Sequence, residues 1–432
     1  MKITILNGNP GANAGDFEAY LASFINELEN GRHEVALINL RDLDLKHCIG
    51  CWDCWVKTPG ECVARDDGPG MRRAILGADL VVHASPLILG YPSSLTKKAM
   101  DKSIPIIHPY MAIVNGEFHH RKRYERYPRL GLLVAREADT DQADLDILTD
   151  QFNRTALNMK TELLFSADTS TPPAKLAEQI TAPGRSSVAL PANLKAGPGG
   201  QVAPPRRLTV FNGSPRGAKG NTPIMLREFL KGFMEREGNA FESYDLVHQK
   251  DLLTFARKFS EAEAVLLGFP LYTDAMPGIV KAFMDELAPY ARETGNPPAV
   301  FLVQSGFPEA AHSRYIERYL ENLAGRMGSL YLGTMVKGNG EGTRLMPESW
   351  NKKLFSVLRG LGRGLADEGR LDPALLRSLA SPERMPGFLM PFVRLGVALG
   401  AANGYWNGML KQNGAMERVW DRPYEDSLSE RG

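Results

Sequence analysis

The sequence predicts an α/β protein: two doubly wound parallel sheets of five strands in tandem, followed by a helical extension. Three observations predict it. Short apolar runs alternate with stretches of helical apolar spacing, the pattern of a parallel sheet with crossover helices. That alternation occurs twice in the same element order. Between the two occurrences, residues 167–206 shift to Ala, Pro, Gly, Ser and Thr without sustained periodicity, as a linker does. The boundaries that follow are 1–166, 167–206, 207–345 and 346–432.

In the first half, strands are expected at 2–6, 33–40, 80–84, 130–135 and 162–165, and helices at 17–28, 70–77, 95–102 and 145–158. Asp66 and Asp67 offer carboxylates to cap the second helix. A polar and aromatic insertion, 108–129, carries His119-His120-Arg121-Lys122-Arg123 and reads as a solvated basic loop. A flavin cover or an anion-recognition loop is its functional alternative. In the second half, strands fall at 207–212, 241–246, 264–268, 299–303 and 330–336, with helices at 222–237, 252–259, 278–287 and 310–324. A helical tail starts near Trp350.

Lys plus Arg (51) nearly balances Asp plus Glu (50), which argues against nucleic acid or an anionic membrane as the main partner. A small molecule or a protein fits better. No apolar run reaches the roughly 18 residues that span a bilayer, so no transmembrane segment is expected. The nearest, 388–399, contains Pro391 and Arg394 and reads as packed helix, with an amphipathic surface contact as the alternative. The N-terminus enters a strand pattern without secretory features, and the expectation is a cytoplasmic protein.

All four cysteines lie in one stretch, Cys48, Cys51, Cys54 and Cys62, with the spacing Cys-x2-Cys-x2-Cys-x7-Cys. Such spacing lets a tight loop turn successive sulfurs toward one metal centre. Reduced thiols that merely pack the loop are the alternative. Clustering with none elsewhere fits a reducing compartment better than a disulfide framework.

The second half places Asn212-Gly213-Ser214-Pro215-Arg216, then Gly220-Asn221-Thr222, between its first strand and first helix. Glycines admit close backbone approach, a helix N-terminus presents N–H groups, and Ser214, Arg216, Asn221 and Thr222 add donors: a phosphate cradle. It is neither a Walker loop nor a dinucleotide fingerprint. Pro270-Leu271-Tyr272-Thr273 and Ser305-Gly306 follow later strands, hence share the carboxyl edge where such sheets bind ligands. Tyr272 is either a flat surface for an aromatic ring or a cover over the core. The first-half loop, 7–17, lacks the arginine and puts Asp16 where the second half has Asn221. A carboxylate there repels phosphate, so a mononucleotide is less expected in that half.

On these residues the second half resembles the NADPH-dependent FMN reductase family, flavodoxin-like in fold, through Gly213-Ser214-Pro215-Arg216, Gly220-Asn221-Thr222 and Pro270-Leu271-Tyr272 with Met276-Pro277-Gly278. The first half resembles the iron-sulfur flavoprotein branch through its cysteine run and Ser85-Pro86. The resemblance implies FMN, with its phosphate on Ser214, Arg216, Asn221 and Thr222, and its isoalloxazine against Pro270, Leu271, Tyr272, Thr273, Ser305 and Gly306. It implies NAD(P)H or a reduced protein as donor, and a small-molecule or redox-protein acceptor. In that branch the cysteines hold a [4Fe-4S] cluster, here Cys48, Cys51, Cys54 and Cys62; the longer last gap also resembles members without one. The expected function is an FMN-dependent oxidoreductase, the alternatives being a noncatalytic electron carrier and a ligand-free interaction protein. No catalytic side chain is assigned. The fusion reads as an internal pseudo-dimer, with the cysteine loop facing the flavin of the other half and homo-oligomer formation open.

Overall fold

The computed structural model describes residues 1–11, 15–181, 196–291 and 295–429. Most of the expected linker, 182–195, and residues 12–14 of the first glycine loop lie outside the described residues. The chain packs into two units, one made of Met1–Ile113, His119–Pro191 and Phe392–Gly432, the other of Val114–Phe118 and Ala192–Pro391.

In the first unit the chain runs β1 (Lys2–Asn7), α1 (Gly15–Asn30), β2 (Glu34–Asn39), α2 (Asp53–Val56), α3 (Gly68–Gly77), β3 (Leu80–Ile88), β4 (Tyr91–Pro92) and α4 (Ser94–Asp101). Then come β5 (Ile107–Val114), β6 (Glu117–Lys122), β7 (Arg129–Ala135), α5 (Gln142–Asn158), β8 (Leu163–Asp168) and α6 (Pro173–Thr181). The parallel sheet has the order β2-β1-β3-β7-β8, with β4 folding back on β3. Its central strands are apolar on both faces because helices cover both sides, while β2, at the edge, is half-exposed. Ile3, Ile5, Phe24, Val82 and Leu133 form the core. The α6 helix lies inside the segment expected to be an aperiodic linker. Leu176 and Ile180, one turn apart, enter that same core, and two apolar positions in an Ala- and Pro-rich window are too few to register as periodicity.

The second unit repeats the plan with β9 (Arg207–Asn212), α7 (Asn221–Phe233), β10 (Ala240–Asp245), α8 (Leu252–Ser260), β11 (Val265–Pro270), α9 (Gly278–Leu287), β12 (Ala299–Gln304), α10 (Arg314–Met327) and β13 (Tyr331–Lys337). The order β10-β9-β11-β12-β13 is that of the first sheet. The repeat extends to side chains: buried Lys97 pairs with Asp101 in α4, and buried Lys281 with Asp285 at the same places in α9. Both sheets have the flavodoxin-like 2-1-3-4-5 order, whose switch point opens a crevice at the carboxyl ends of the first and third strands.

The helical tail is present and divides between the units. In the second, α11 (Lys352–Glu368) packs against α7 and is followed by α12 (Pro373–Leu379). Gly232 and Gly362 meet there: a Cβ on Gly232 would overlap the carbonyl of Arg359, and one on Gly362 the carbonyl of Phe229. The tail continues through α13 (Met390–Ala398), α14 (Gly404–Gln412) and α15 (Asp426–Ser429), and its residues from Phe392 onward belong to the first unit.

That tail explains why the basic insertion is not a solvated loop. Strands β5 and β6 pair as a hairpin, and His108, His119 and Arg123 are at most 1 % exposed. The Arg123 guanidinium donates to the carbonyls of Pro105 (3.1 Å), Val419 (3.1 Å) and Asp421 (2.8 Å), and the His108 ring stacks on Trp420 with centroids 3.8 Å apart. Two of those carbonyls come from the far end of the chain, beyond the reach of local spacing.

Two predictions follow from this packing. Gly362→Ala forces α7 and α11 apart at a backbone contact, and overpacking of that kind costs about 1–3 kcal/mol; urea denaturation should show the loss. Burial also pushes the His47, His83 and His120 imidazoles down to about 4, and that of His108, which also lies beside Arg123, down to about 3. An unfolded histidine titrates near ~6.5. Their stabilisation is therefore fully present above that pH, and it falls toward pH 4 as the unfolded chain takes up protons that the folded chain refuses. The urea midpoint should drop between pH 7 and 5, before most carboxylates titrate, and His83→Leu should flatten part of the slope.

Candidate functional site

Each first strand ends on an asparagine, and the two asparagines make the same bonds. The Asn212 Oδ1 accepts the Ser214 N–H at 3.1 Å, its Nδ2 donates to Asp245 at 2.7 Å, and the Gly213 N–H donates to the Gly268 carbonyl at 2.7 Å. In the first unit, Asn7 Oδ1 accepts the Asn9 N–H (3.0 Å), its Nδ2 donates to Asn39 (3.0 Å), and the Gly8 N–H donates to the Ala84 carbonyl (2.7 Å). This side-chain turn bends the chain off the strand and aims the following loop at the helix N-terminus. A Cβ on Gly213 would strike Val280, and one on Gly8 would strike Thr96, so only glycine lets the loop lie this close to the helix below.

The second cradle gathers Ser214, Arg216, Asn221 and Thr222, with Ser214, Asn221 and Thr222 at most 2 % exposed. It also contains an anion that sequence reasoning missed. The Glu341 carboxylate, in the short turn Gly340–Arg344 after β13, accepts from Arg216 Nη1 at 2.9 and 3.1 Å and from Asn221 Nδ2 at 3.0 Å. Arg344 donates to the same carboxylate at 2.9 Å, and its backbone N–H donates to Asn221 Oδ1 at 2.9 Å. The Thr222 hydroxyl is buried without a hydrogen-bond partner. Arginine and asparagine that grip a carboxylate are the donors a phosphate oxygen also takes, and the orphan hydroxyl is a further donor. The donor set fits a phosphate.

Pro270, Leu271, Tyr272 and Thr273 lead from β11 into a two-residue turn. Tyr272 and Ala275 exchange backbone bonds of 2.9 and 3.0 Å around Thr273 (φ 41°) and Asp274 (φ 62°), both left-handed. The first unit has its equivalent in Leu89 (φ 53°) and Gly90 (φ 72°), whose amides donate to Glu137 at 2.8 and 2.7 Å. Tyr272 is buried, 6 % exposed. Ser305 is buried and Gly306 exposed, and the Gly340 N–H donates to the Ser305 carbonyl at 2.7 Å. The 305–306 loop and the turn bearing Glu341 are thus tied together.

The first cradle is filled differently. Glu18, on α1 itself, accepts from Asn7 (3.0 Å), Asn9 (2.9 Å) and Arg41 (2.7 Å). Burial raises the Glu18 carboxyl, but these hydrogen bonds outweigh it and hold the group below its ordinary range. The repulsive carboxylate at this loop is therefore Glu18, whereas Asp16, the residue singled out from sequence, is exposed.

The four cysteines are unbridged, with Cys51 exposed and the others half-buried. Burial pushes the Cys48 thiol up to about 12 and Cys54 well above its ordinary value. Lys102, in a buried pair with Asp66 at 2.6 Å, donates to Cys62 Sγ at 3.1 Å. Asp66 and Asp67 bind loop amides, Asp66 taking the Gly68 N–H at 3.1 Å as a partial cap. Trp52 stacks on Trp55 (4.6 Å), with Trp406 edge-on to Trp55 at 5.2 Å. Among the described residues, no group of three His, Cys, Asp or Glu side chains is placed to hold a metal ion. The thiols are nevertheless near neighbours: Cys48, Cys51 and Cys62 each add to the upward push on Cys54.

Glu341 left one trace in the sequence: it sits in Gly338-Asn339-Gly340-Glu341-Gly342, a glycine-rich turn at the carboxyl edge of the last strand. Lys102 and Glu18 left none, because their partners are distant in sequence.

Among the described residues, no helix is long and apolar enough to cross a membrane. Among proteins of known sequence, an iron-sulfur flavoprotein of Archaeoglobus fulgidus is 32% identical over 108 residues, 25% of this chain and 48% of the relative. One from Methanocaldococcus jannaschii is 30% identical over 106 residues, 24% of this chain and 53% of the relative. The chain thus spans about half the length of the curated relatives it matches. Among solved structures, an FMN-dependent NADH-azoreductase from Bacillus anthracis in complex with FMN aligns with TM-score 0.31 and 13% identity, over 38% of this chain and 100% of that one. An NAD(P)H:quinone oxidoreductase from Methanothermobacter marburgensis aligns with TM-score 0.29 and 18% identity, over 37% and 94%. The sequence profile of NADPH-dependent FMN reductase matches twice, at residues 1–118 and 206–336, which together are more than half of the chain. With the same sheet order and the same asparagine-built loop in both copies, the chain belongs to the NADPH-dependent FMN reductase family.

Proposed function

We propose that the protein is an FMN-dependent oxidoreductase that takes electrons from NAD(P)H or a reduced protein and passes them to a small-molecule or protein acceptor. The observation that supports this reading is the second cradle, where Arg216 and Asn221 grip one carboxylate, with buried Ser214 and the unpartnered Thr222 hydroxyl in the same loop-to-helix segment. When bound, FMN supplies hydride and single-electron chemistry. The chain's own part is to hold and orient. Arg216 gives the phosphate a charged partner, and Ser214, Asn221 and Thr222 give neutral donors. The tight turn after β11 presents the backbone of 271–273 to the ring, and the 305–306 loop closes its other side. No side chain here is required as an acid or base.

The cysteine run enters this proposal as redox thiols, four near neighbours in one loop. The carrier reading, in which FMN and a [4Fe-4S] cluster exchange single electrons with proteins, draws support from the similarity to iron-sulfur flavoproteins. Two measurements separate these. Anaerobically purified protein should show flavin absorbance without stoichiometric iron and should turn over NADH or NADPH with an artificial acceptor; one cluster per chain and no turnover would replace the enzyme with the carrier. Arg216→Ala combined with Thr222→Ala removes a charged and a neutral phosphate contact. FMN binding should weaken by about 100-fold, from the ~1.5–3 kcal/mol of one charged hydrogen bond and the smaller neutral one. Flavin retained at wild-type affinity in that variant would remove the phosphate from this loop.

A further inference from the structure

The second cradle is already neutralised by the chain itself. Glu341 takes two contacts from Arg216 Nη1 and one from the Asn221 amide, and Arg344 adds a second guanidinium to it at 2.9 Å. A phosphate that takes Arg216 Nη1 and the Asn221 amide competes with the carboxylate for them, and two anions sharing one set of donors repel each other. The carboxylate has a way out. Its side chain is 21% exposed and lies between Gly340 and Gly342 in a short turn, and residues 344–350 beyond it are exposed.

Resting on the reading of this loop as the flavin phosphate site, we propose that Glu341 is the resident anion of the cradle and determines its ligand specificity. A phosphomonoester enters by exchanging with the carboxylate, which turns out toward solvent while Arg216 and Asn221 transfer to the phosphate. Thr222, which has no partner while Glu341 is in place, gains one only in the exchanged state. A dianionic phosphate that also engages Thr222 displaces the carboxylate. A ligand without a phosphate neither displaces Glu341 nor gains from its removal.

The test compares the full-length wild type with Glu341→Ala and Glu341→Gln, checked for folding by circular dichroism. FMN and riboflavin are titrated by flavin fluorescence, and inorganic phosphate by its effect on the melting temperature. Expected for Glu341→Ala is FMN binding at least about tenfold tighter than wild type, a difference of ~1.4 kcal/mol. Riboflavin affinity should change less than twofold, and millimolar phosphate should stabilise the variant and not the wild type. Glu341→Gln, which keeps an acceptor but loses the charge, should fall between. Equal or weaker FMN binding by Glu341→Ala overturns the proposal, as does a riboflavin gain equal to the FMN gain. Should no form bind FMN, the cofactor reading fails, and inorganic phosphate alone decides the role of Glu341: stabilisation confined to the variants supports it, and stabilisation of wild type and variants alike, or of none, overturns it.

Discussion

The loop geometry of both units depends on one side chain, the asparagine that ends the first strand. Its Oδ1 holds the amide two residues on, its Nδ2 ties to the neighbouring edge strand, and the glycine after it donates across to the third strand. Three strands are thereby locked at the switch point, where a parallel sheet opens its crevice. Without that lock the glycine loop would have many conformations to lose on binding. With it, the donors are already aimed, and less binding energy goes into ordering them.

A ring of aimed donors has its own cost: unpaired, buried N–H and O–H groups are expensive. Each unit meets that cost with a carboxylate of its own, Glu18 in the first and Glu341 in the second. An arginine accompanies each, Arg41 and Arg216. The same electrostatic arrangement therefore arises twice from residues at unrelated positions, which indicates that the loop's demand for an anion comes from its shape.

The fold was legible in the sequence because its information is local. Strand runs such as 207–212 and helices such as 278–287 declare themselves through apolar periodicity, and the glycine loops mark the carboxyl edge. Periodicity also showed the repeat. What escaped was decided at long range. The hairpin at 107–122 read as a solvated basic loop because the carbonyls that satisfy Arg123 lie near residue 420. Helix α6 was hidden by composition, since only Leu176 and Ile180 anchor it. Of the candidate site, Ser214, Arg216, Asn221 and Thr222 come together as their spacing suggested. Tyr272 illustrates the limit of residue-type reasoning: an aromatic in a loop is equally suited to a ligand or to the core, and both roles bury it beside the left-handed turn at 273–274.

The two carboxylates differ in one respect that separates the units functionally. Glu18 projects from the first turns of α1, a helix whose Phe17, Leu21 and Phe24 are locked in the core, and it is held by three side chains including Asn7 and Asn9 of the loop itself. Removing it from the cradle would strip the Asn7 and Asn9 amides and Arg41 of a shared acceptor. Glu341 sits on a short turn outside the sheet, and the Asn212 bonds that shape its loop do not involve it. It can leave with the cradle intact. A carboxylate built into the scaffold completes a structure, whereas one carried on a peripheral turn competes with a ligand. By this criterion the second unit keeps an exchangeable anion site, and the first carries its carboxylate on the scaffold helix itself.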